Sequence, residues 1–110
     1  MCRALTRAGM QPADIDYINA HGTSTPLGDR AETQAIKSVF GNRVTAPPVS
    51  ATKSATGHLM GAGGLTEVIA CVQAIQNGVL PPTLHLDTPD PACDLDYIPN
   101  QAREARIRTA

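Results

Sequence analysis

Three side chains in this 110-residue sequence have the types and placement for shared chemistry: His21, Lys53 and His58. D-I-D-Y-I-N-A at 14–20 reads as a strand, and His21 follows at once, with Gly22 behind it. V-S-A at 49–51 reads as a second strand, and Lys53 and His58 follow in a turn of small residues. In open α/β folds ligands bind beyond the carboxyl ends of strands, which is where both histidines fall. A single histidine is more often a satisfied structural residue. Two at equivalent strand ends, each beside glycine, point instead to a site. The neighbours of Lys53 are small and apolar, so its ammonium should be drawn out of water and need a carboxylate. Glu67 is the one acid in the apolar stretch 62–77. Its alternative is an exposed place on that segment's polar side.

No credible nucleophile accompanies these groups. Cys71 lies among Ile69, Val72 and Ile75, where a buried thiol is inert, and Cys93 sits in an acidic arm that disfavours a thiolate. The three cysteines, Cys2, Cys71 and Cys93, are far apart and form no C-x-x-C pair. That argues against a disulfide framework or a zinc site and fits a reducing, cytoplasmic setting.

The elements that must position these residues can be read in order. C-R-A-L-T-R-A-G at 2–9 reads as the tail of a helix stopped by Gly9. Pro12–Asp14 is a turn before the first strand. A loop of hydroxyls, Thr23-Ser24-Thr25, leads to a helix over 29–40, with Asp29 as N-cap and Glu32 closing a capping box. Ala31, Ala35, Ile36, Val39 and Phe40 mark its apolar face. That helix would carry the chain between two neighbouring parallel strands. Four glycines between Gly57 and Gly64 then open a long helix to Asn77, with Leu65, Val68, Ile69, Val72 and Ile75 directed inward. Each such glycine costs roughly 1 kcal/mol against alanine, which implies a close backbone approach, either for tight packing or at the wall of a reaction chamber. Prolines at 81–82, 89 and 91 mark an extended arm across the surface. Gln101–Arg106 reads as a turn of helix, and Ile107–Ala110 as the opening of another strand.

The formal net charge is −1, with no basic stripe, so neither nucleic acid nor an anionic membrane is an expected partner. No apolar run reaches the roughly 18 residues of a membrane span, and M-C-R-A-L-T-R-A-G has no signal-peptide core. Two strands and an incipient third are too few for an open sheet, so the expectation is a piece of something larger.

The chain resembles the carboxyl-terminal half of the β-ketoacyl-acyl carrier protein synthases, the condensing enzymes of fatty acid synthesis. The resemblance rests on N-A-H-G-T-S-T-P-L-G-D at 19–29, S-A-T-K-S-A-T-G-H at 50–58 and G-A-G-G-L-T-E at 61–67. It extends through L-P-P-T-L-H-L-D-T-P-D at 80–90 and C-D-L-D-Y-I-P at 93–99. The subtype looks like the elongating enzyme of dissociated systems, synthase II.

The resemblance implies an α/β, thiolase-like α-β-α-β-α fold working as a homodimer, with residues 1–110 forming a partial C-terminal ketoacyl synthase domain. It implies that His21 and His58 are the two catalytic histidines and that Lys53 orients the second and enters an ion network with Glu67. It implies that Thr23 and Thr25 hold the phosphopantetheine arm. Asn19, Ala20 and Glu67 fall where some members hold a structural monovalent cation. The implied partner is acyl carrier protein, which delivers substrates on its phosphopantetheine, and no tightly bound cofactor is expected. The implied reaction is decarboxylative condensation of malonyl-acyl carrier protein with an acyl group on a cysteine of the other half. The 110 residues alone are therefore expected to be inactive. The alternatives are a non-catalytic partner of chain-length-factor type or a polyketide ketosynthase subunit.

Overall fold

The computed structural model describes residues 1–110. Helix α1 (Cys2–Ala8) ends at Gly9, as its sequence predicts. Pro12–Asp14 forms one 3-10 turn, closed where the Gln11 amide donates to Asp14 Oδ2 at 2.7 Å. This turn delays the strand, so β1 is only Ile18–Asn19.

Strand β1 pairs in parallel with β2 (Val49–Ser50), in the register Ile18 to Val49 and Asn19 to Ser50. The ladder continues past both ends, with Ile18 N donating to Pro48 O at 3.0 Å and Ala20 N to Ser50 O at 2.8 Å. On the other side of β2, Val49 N donates to Asp96 O at 2.8 Å, so the late arm of the chain completes the ladder.

The connection between the strands is α2 (Pro26–Phe40). It begins three residues before the expected Asp29 cap. Proline is well suited to a first helical turn, where its missing N–H has no partner to lose. Thr25 takes the cap position without a side-chain bond. Thr33, Ile36 and Phe40 are its buried residues, whereas Ala31 and Ala35 of the expected apolar face are exposed. Ile36 and Phe40 pack with Ala20, Val49 and Leu95 in one apolar cluster. A second cluster joins Tyr17, Ala74, Leu80, Ile98 and Ile107.

After β2 come the single-turn helix α3 (Lys53–Thr56), a 3-10 turn at Met60–Ala62, and α4 (Gly63–Asn77). The orientation of α4 reverses the expectation. Leu65, Val68 and Ile69 are more than half exposed, and Val72 and Ile75 are exposed as well. The face turned to the core is the small-residue stripe, with Gly63 and Ala74 buried and Cys71 packed against the second cluster. The glycines also differ from expectation. A Cβ built at Gly57, Gly61, Gly63 or Gly64 meets no atom of this chain within 4 Å.

Strand β3 (Val79–Leu80) pairs antiparallel with β4 (Arg103–Glu104), so residues 101–106 contain a strand where a helical turn was expected. The pairing is local to the end of α4: Ala105 N donates to Gly78 O at 2.9 Å. Ile107–Ala110 forms no strand. Its backbone turns back onto Asp16, whose Oδ2 accepts from Arg108 N at 2.8 Å and Thr109 N at 3.3 Å. The extended arm between β3 and β4 is fastened to α2 by Arg30–Asp90 at 3.0 Å and Lys37–Asp94 at 2.8 Å.

Candidate active site at the ends of the parallel strands

The chain leaves β1 through Ala20 and turns sharply at His21-Gly22. Two groups hold that turn. Glu32, nearly two helical turns into α2, accepts from His21 N at 2.8 Å and from Gly22 N at 2.9 Å. The residue expected to cap its own helix thus bridges to the histidine loop instead, because an earlier helix start moves it past the cap. Gly22 has φ 43, and a Cβ there would sit 2.4 Å from Ala51 Cβ. Both the left-handed backbone and the contact with the β2 exit require glycine.

The β2 exit supplies the second half of the site. Buried Thr52 exchanges hydrogen bonds with the Asn19 side chain at 3.1 and 3.3 Å, which locks the two strand ends together. Lys53, at the start of α3, extends to α4 and donates to Glu67 Oε1. Their side chains are 8% and 21% exposed, so the pair is largely withdrawn from water.

His58 closes on His21 with ring centroids 5.6 Å apart and planes at 87°. The amide of Met60 donates to His58 Nδ1 at 3.2 Å. A neutral ring that accepts at Nδ1 carries its hydrogen on Nε2. The geometry therefore sets one imidazole beside another with a directed donor, next to a lysine–carboxylate pair.

A cavity of about 580 Å³ opens against this edge. Thr23, Thr25, Lys53, His58, His85 and Tyr97 contribute to its wall. The Thr23 and Thr25 hydroxyls lie 3.4 Å apart. Gly28 makes room for them, since a Cβ there would come within 2.4 Å of Thr25 Oγ1. The Tyr97 hydroxyl is tied to Thr33 of α2, and burial pushes its pKa above the ordinary tyrosine value.

Behind the strands, Tyr17 shares a 2.6 Å hydrogen bond with Ser50, and burial pushes its pKa up to about 12. It stays a neutral structural phenol. Burial, and then the Glu67 charge, also push the Cys71 thiol up, in line with its reading as inert. Asn19 and Glu67 line one groove on the α4 side. The Asn19 amide is committed to Thr52, and Lys53 already balances the Glu67 charge. Of the set expected for a monovalent cation, Asn19, Ala20 and Glu67, two thus share this groove, and Ala20 lies on the other side, in the wall of the histidine cavity.

Sequence reasoning named His21, His58, Lys53, Glu67, Thr23 and Thr25, and the fold gathers all of them near one edge. It missed Glu32 as the holder of the His21 loop. It also passed over His85, whose only signal was its position in an otherwise apolar segment of the arm.

The family model "Beta-ketoacyl synthase, C-terminal domain" matches residues 1–87. Nodulation protein E of Rhizobium sp. (strain N33) is 53% identical over 110 residues, all of this chain and 27% of that protein. A 3-oxoacyl-[acyl-carrier-protein] synthase 2 from Coxiella burnetii is 50% identical over 109 residues, 99% of this chain and 26% of its own length. Among solved structures, a type II PKS acyl-carrier protein in complex with its ketosynthase bound to the hexaketide is similar with a TM-score of 0.91 and 41% identity. That match covers 97% of this chain and 26% of the matched chain. The chain thus spans about a quarter of the length of the relatives it matches.

Proposed function

The chain belongs to the β-ketoacyl synthase family, as part of its C-terminal domain, and on that premise we propose that it forms the decarboxylating side of a condensing enzyme's active site. Its α/β fold is that of the thiolase-like ketosynthases. The observation that carries the reading is the His21–His58 ring pair beside the Lys53–Glu67 pair.

In the proposed reaction a malonyl thioester, delivered on the phosphopantetheine of an acyl carrier protein, lies in the cavity with its carbonyl oxygen toward the imidazoles. The bond between the α-carbon and the carboxylate breaks, CO₂ leaves, and the electron pair moves through the α-carbon onto the thioester oxygen. His58 Nε2–H and the His21 ring donate to that developing enolate. One such donor in a preorganised site is worth roughly 3 kcal/mol. The enolate carbon then attacks an acyl thioester, a carbon–carbon bond forms, and the acyl group's former sulfur departs as thiolate. Neither Cys71 nor Cys93 is assigned as that sulfur. Lys53 positions His58 through the start of α3, and Glu67 neutralises the ammonium. Thr23 and Thr25 offer paired hydroxyls to the amides of the phosphopantetheine arm.

The relatives support this reading, since one is a 3-oxoacyl-[acyl-carrier-protein] synthase 2. The substrate is proposed to be a fatty acyl chain and the working assembly a homodimer. The similarity to nodulation protein E and to a type II PKS ketosynthase keeps a polyketide-type acyl chain as the second reading. A non-catalytic partner is disfavoured because His21, Lys53 and His58 stand together. The test is CO₂ release from malonyl-acyl carrier protein by the full-length enzyme containing this domain. His21→Ala and His58→Ala should each lower it by about 10²-fold or more. Unchanged release in both variants would remove the proposal.

A further inference from the structure

His85 has a setting that the proposed reaction leaves unused. Its φ is 59, a left-handed backbone that is uncommon outside glycine, although asparagine, aspartate and histidine enter it more often than other residues. The amides on both sides are pinned by side chains. Leu84 N donates to Ser54 Oγ at 2.8 Å, next to Lys53, and Leu86 N donates to Asn100 Oδ1 at 3.1 Å. The Asn100 amide nitrogen returns to Leu86 O at 3.2 Å and to Asp87 Oδ1 at 3.0 Å. Asn100 itself has φ 58. A backbone held in a sparsely populated region by this many bonds fixes where its side chain stands.

The side chain it presents is an exposed imidazole in the wall of the same cavity as His58, Thr23 and Thr25. The other cationic groups of that wall are committed: Lys53 to Glu67, and Arg30 to Asp90 at 3.0 Å. His58 spends Nδ1 on Met60. The His85 ring makes no hydrogen bond within the chain, so its nitrogens are free to bind a molecule in the cavity that it lines.

We propose that His85 is a substrate-binding residue that donates a hydrogen bond to an acceptor oxygen, amide or phosphate, on the phosphopantetheine arm. This rests on the condensing-enzyme reading above. A contact to the arm is made equally in the ground and transition states, so its loss should raise KM and leave kcat in place.

The experiment uses the full-length enzyme with two malonyl thioesters, one of phosphopantetheine and one of ethanethiol, which has no amide or phosphate. His85→Gly removes the ring while accepting the left-handed backbone. Its KM for the phosphopantetheine thioester should rise about threefold to tenfold, the range of one hydrogen bond, with kcat within twofold. Its KM for the ethanethiol thioester should not move. His85→Asn, which tolerates the same backbone and keeps a shorter donor, should fall between, and it decides the matter if the glycine variant folds poorly. An equal change with both thioesters, or no change with either, overturns the assignment while leaving the condensing reading standing. A wild-type enzyme that releases no CO₂ from these thioesters or from malonyl-acyl carrier protein overturns both.

Discussion

Substituting Glu32 by glutamine tests whether the His21 loop is held for the chemistry or only for the fold. The wild-type carboxylate accepts two backbone N–H groups, at 2.8 and 2.9 Å. The amide in Glu32→Gln keeps one acceptor and turns an NH₂ toward the other N–H, so one charge-assisted bond is replaced by two opposed donors. A hydrogen bond to a charged acceptor contributes roughly 1.5–3 kcal/mol, and the remaining bond weakens as the charge goes. The local loss is therefore about 2–3 kcal/mol. Gly22 cannot absorb it by moving inward, because it already touches Ala51. The loop should move outward and carry His21 away from His58. A misplacement on the order of 1 Å costs about 10²-fold in a positioned reaction. The expected result in the full-length enzyme is a fall of that order in CO₂ release from malonyl-acyl carrier protein, with KM little changed and a lower melting temperature. A lower melting temperature with wild-type CO₂ release would refute the positioning role. A wild-type melting temperature would refute the energetic account of the two bonds.

Two further outcomes follow from the charges. Lys53→Met leaves Glu67 as a mostly buried, unpaired carboxylate, and should cost about 3 kcal/mol or more by denaturant unfolding together with about 10²-fold in decarboxylation. Lys53→Met combined with Glu67→Met should recover much of the stability and none of the rate; recovery of both would show that Lys53 does not position His58. The pH dependence of unfolding should show an acid limb with named causes. The Arg103 fork, at 2.5 and 2.9 Å, holds Asp96 below the ordinary aspartate range, and the Arg108 amide, first among several bonds, does so for Asp16. A carboxyl depressed in the folded state stabilises fully above its unfolded value of about 4, and this contribution is lost as pH falls through the folded value. Asp96→Asn should lower stability at neutral pH and flatten the loss below pH ~4; an unchanged acid limb would mean the fork carries none of it.

Much of the site was legible because its determinants are local. Each histidine sits a fixed step beyond a strand, and the lysine needed a carboxylate that only one position of α4 could offer. The β1–β2 pairing followed from the same logic. What was not legible depended on how elements lie against each other. Helix α4 carries apolar residues on more than one face, so periodicity shows two stripes, one of Leu65, Val68, Val72 and Ile75 and one of Gly63, Cys71 and Ala74, without saying which faces inward. Size suggested the first, and the packing against Tyr17 and Leu80 took the second. Glu32 had the right chemistry for a cap, but its partner was set by where α2 begins. The 101–106 segment has no strong alternation, and only the nearby edge of β3 makes it a strand.

The two-residue strand β2 has a kinetic consequence. Its hydrogen bonds reach back 33 positions in the chain, as between Tyr17 and Ser50, and forward to Asp96, while Ala51 just beyond it reaches Thr83. No part of that ladder forms within a local hairpin, so loop-closure entropy must be met before any pairing rewards it. The imidazole pair stands at the end of this ladder. Its assembly is expected with the long-range contacts of folding, which form more slowly than the local winding of α2 and α4. A nascent chain would thus keep its two histidines apart until both strands have been synthesised and have paired across α2.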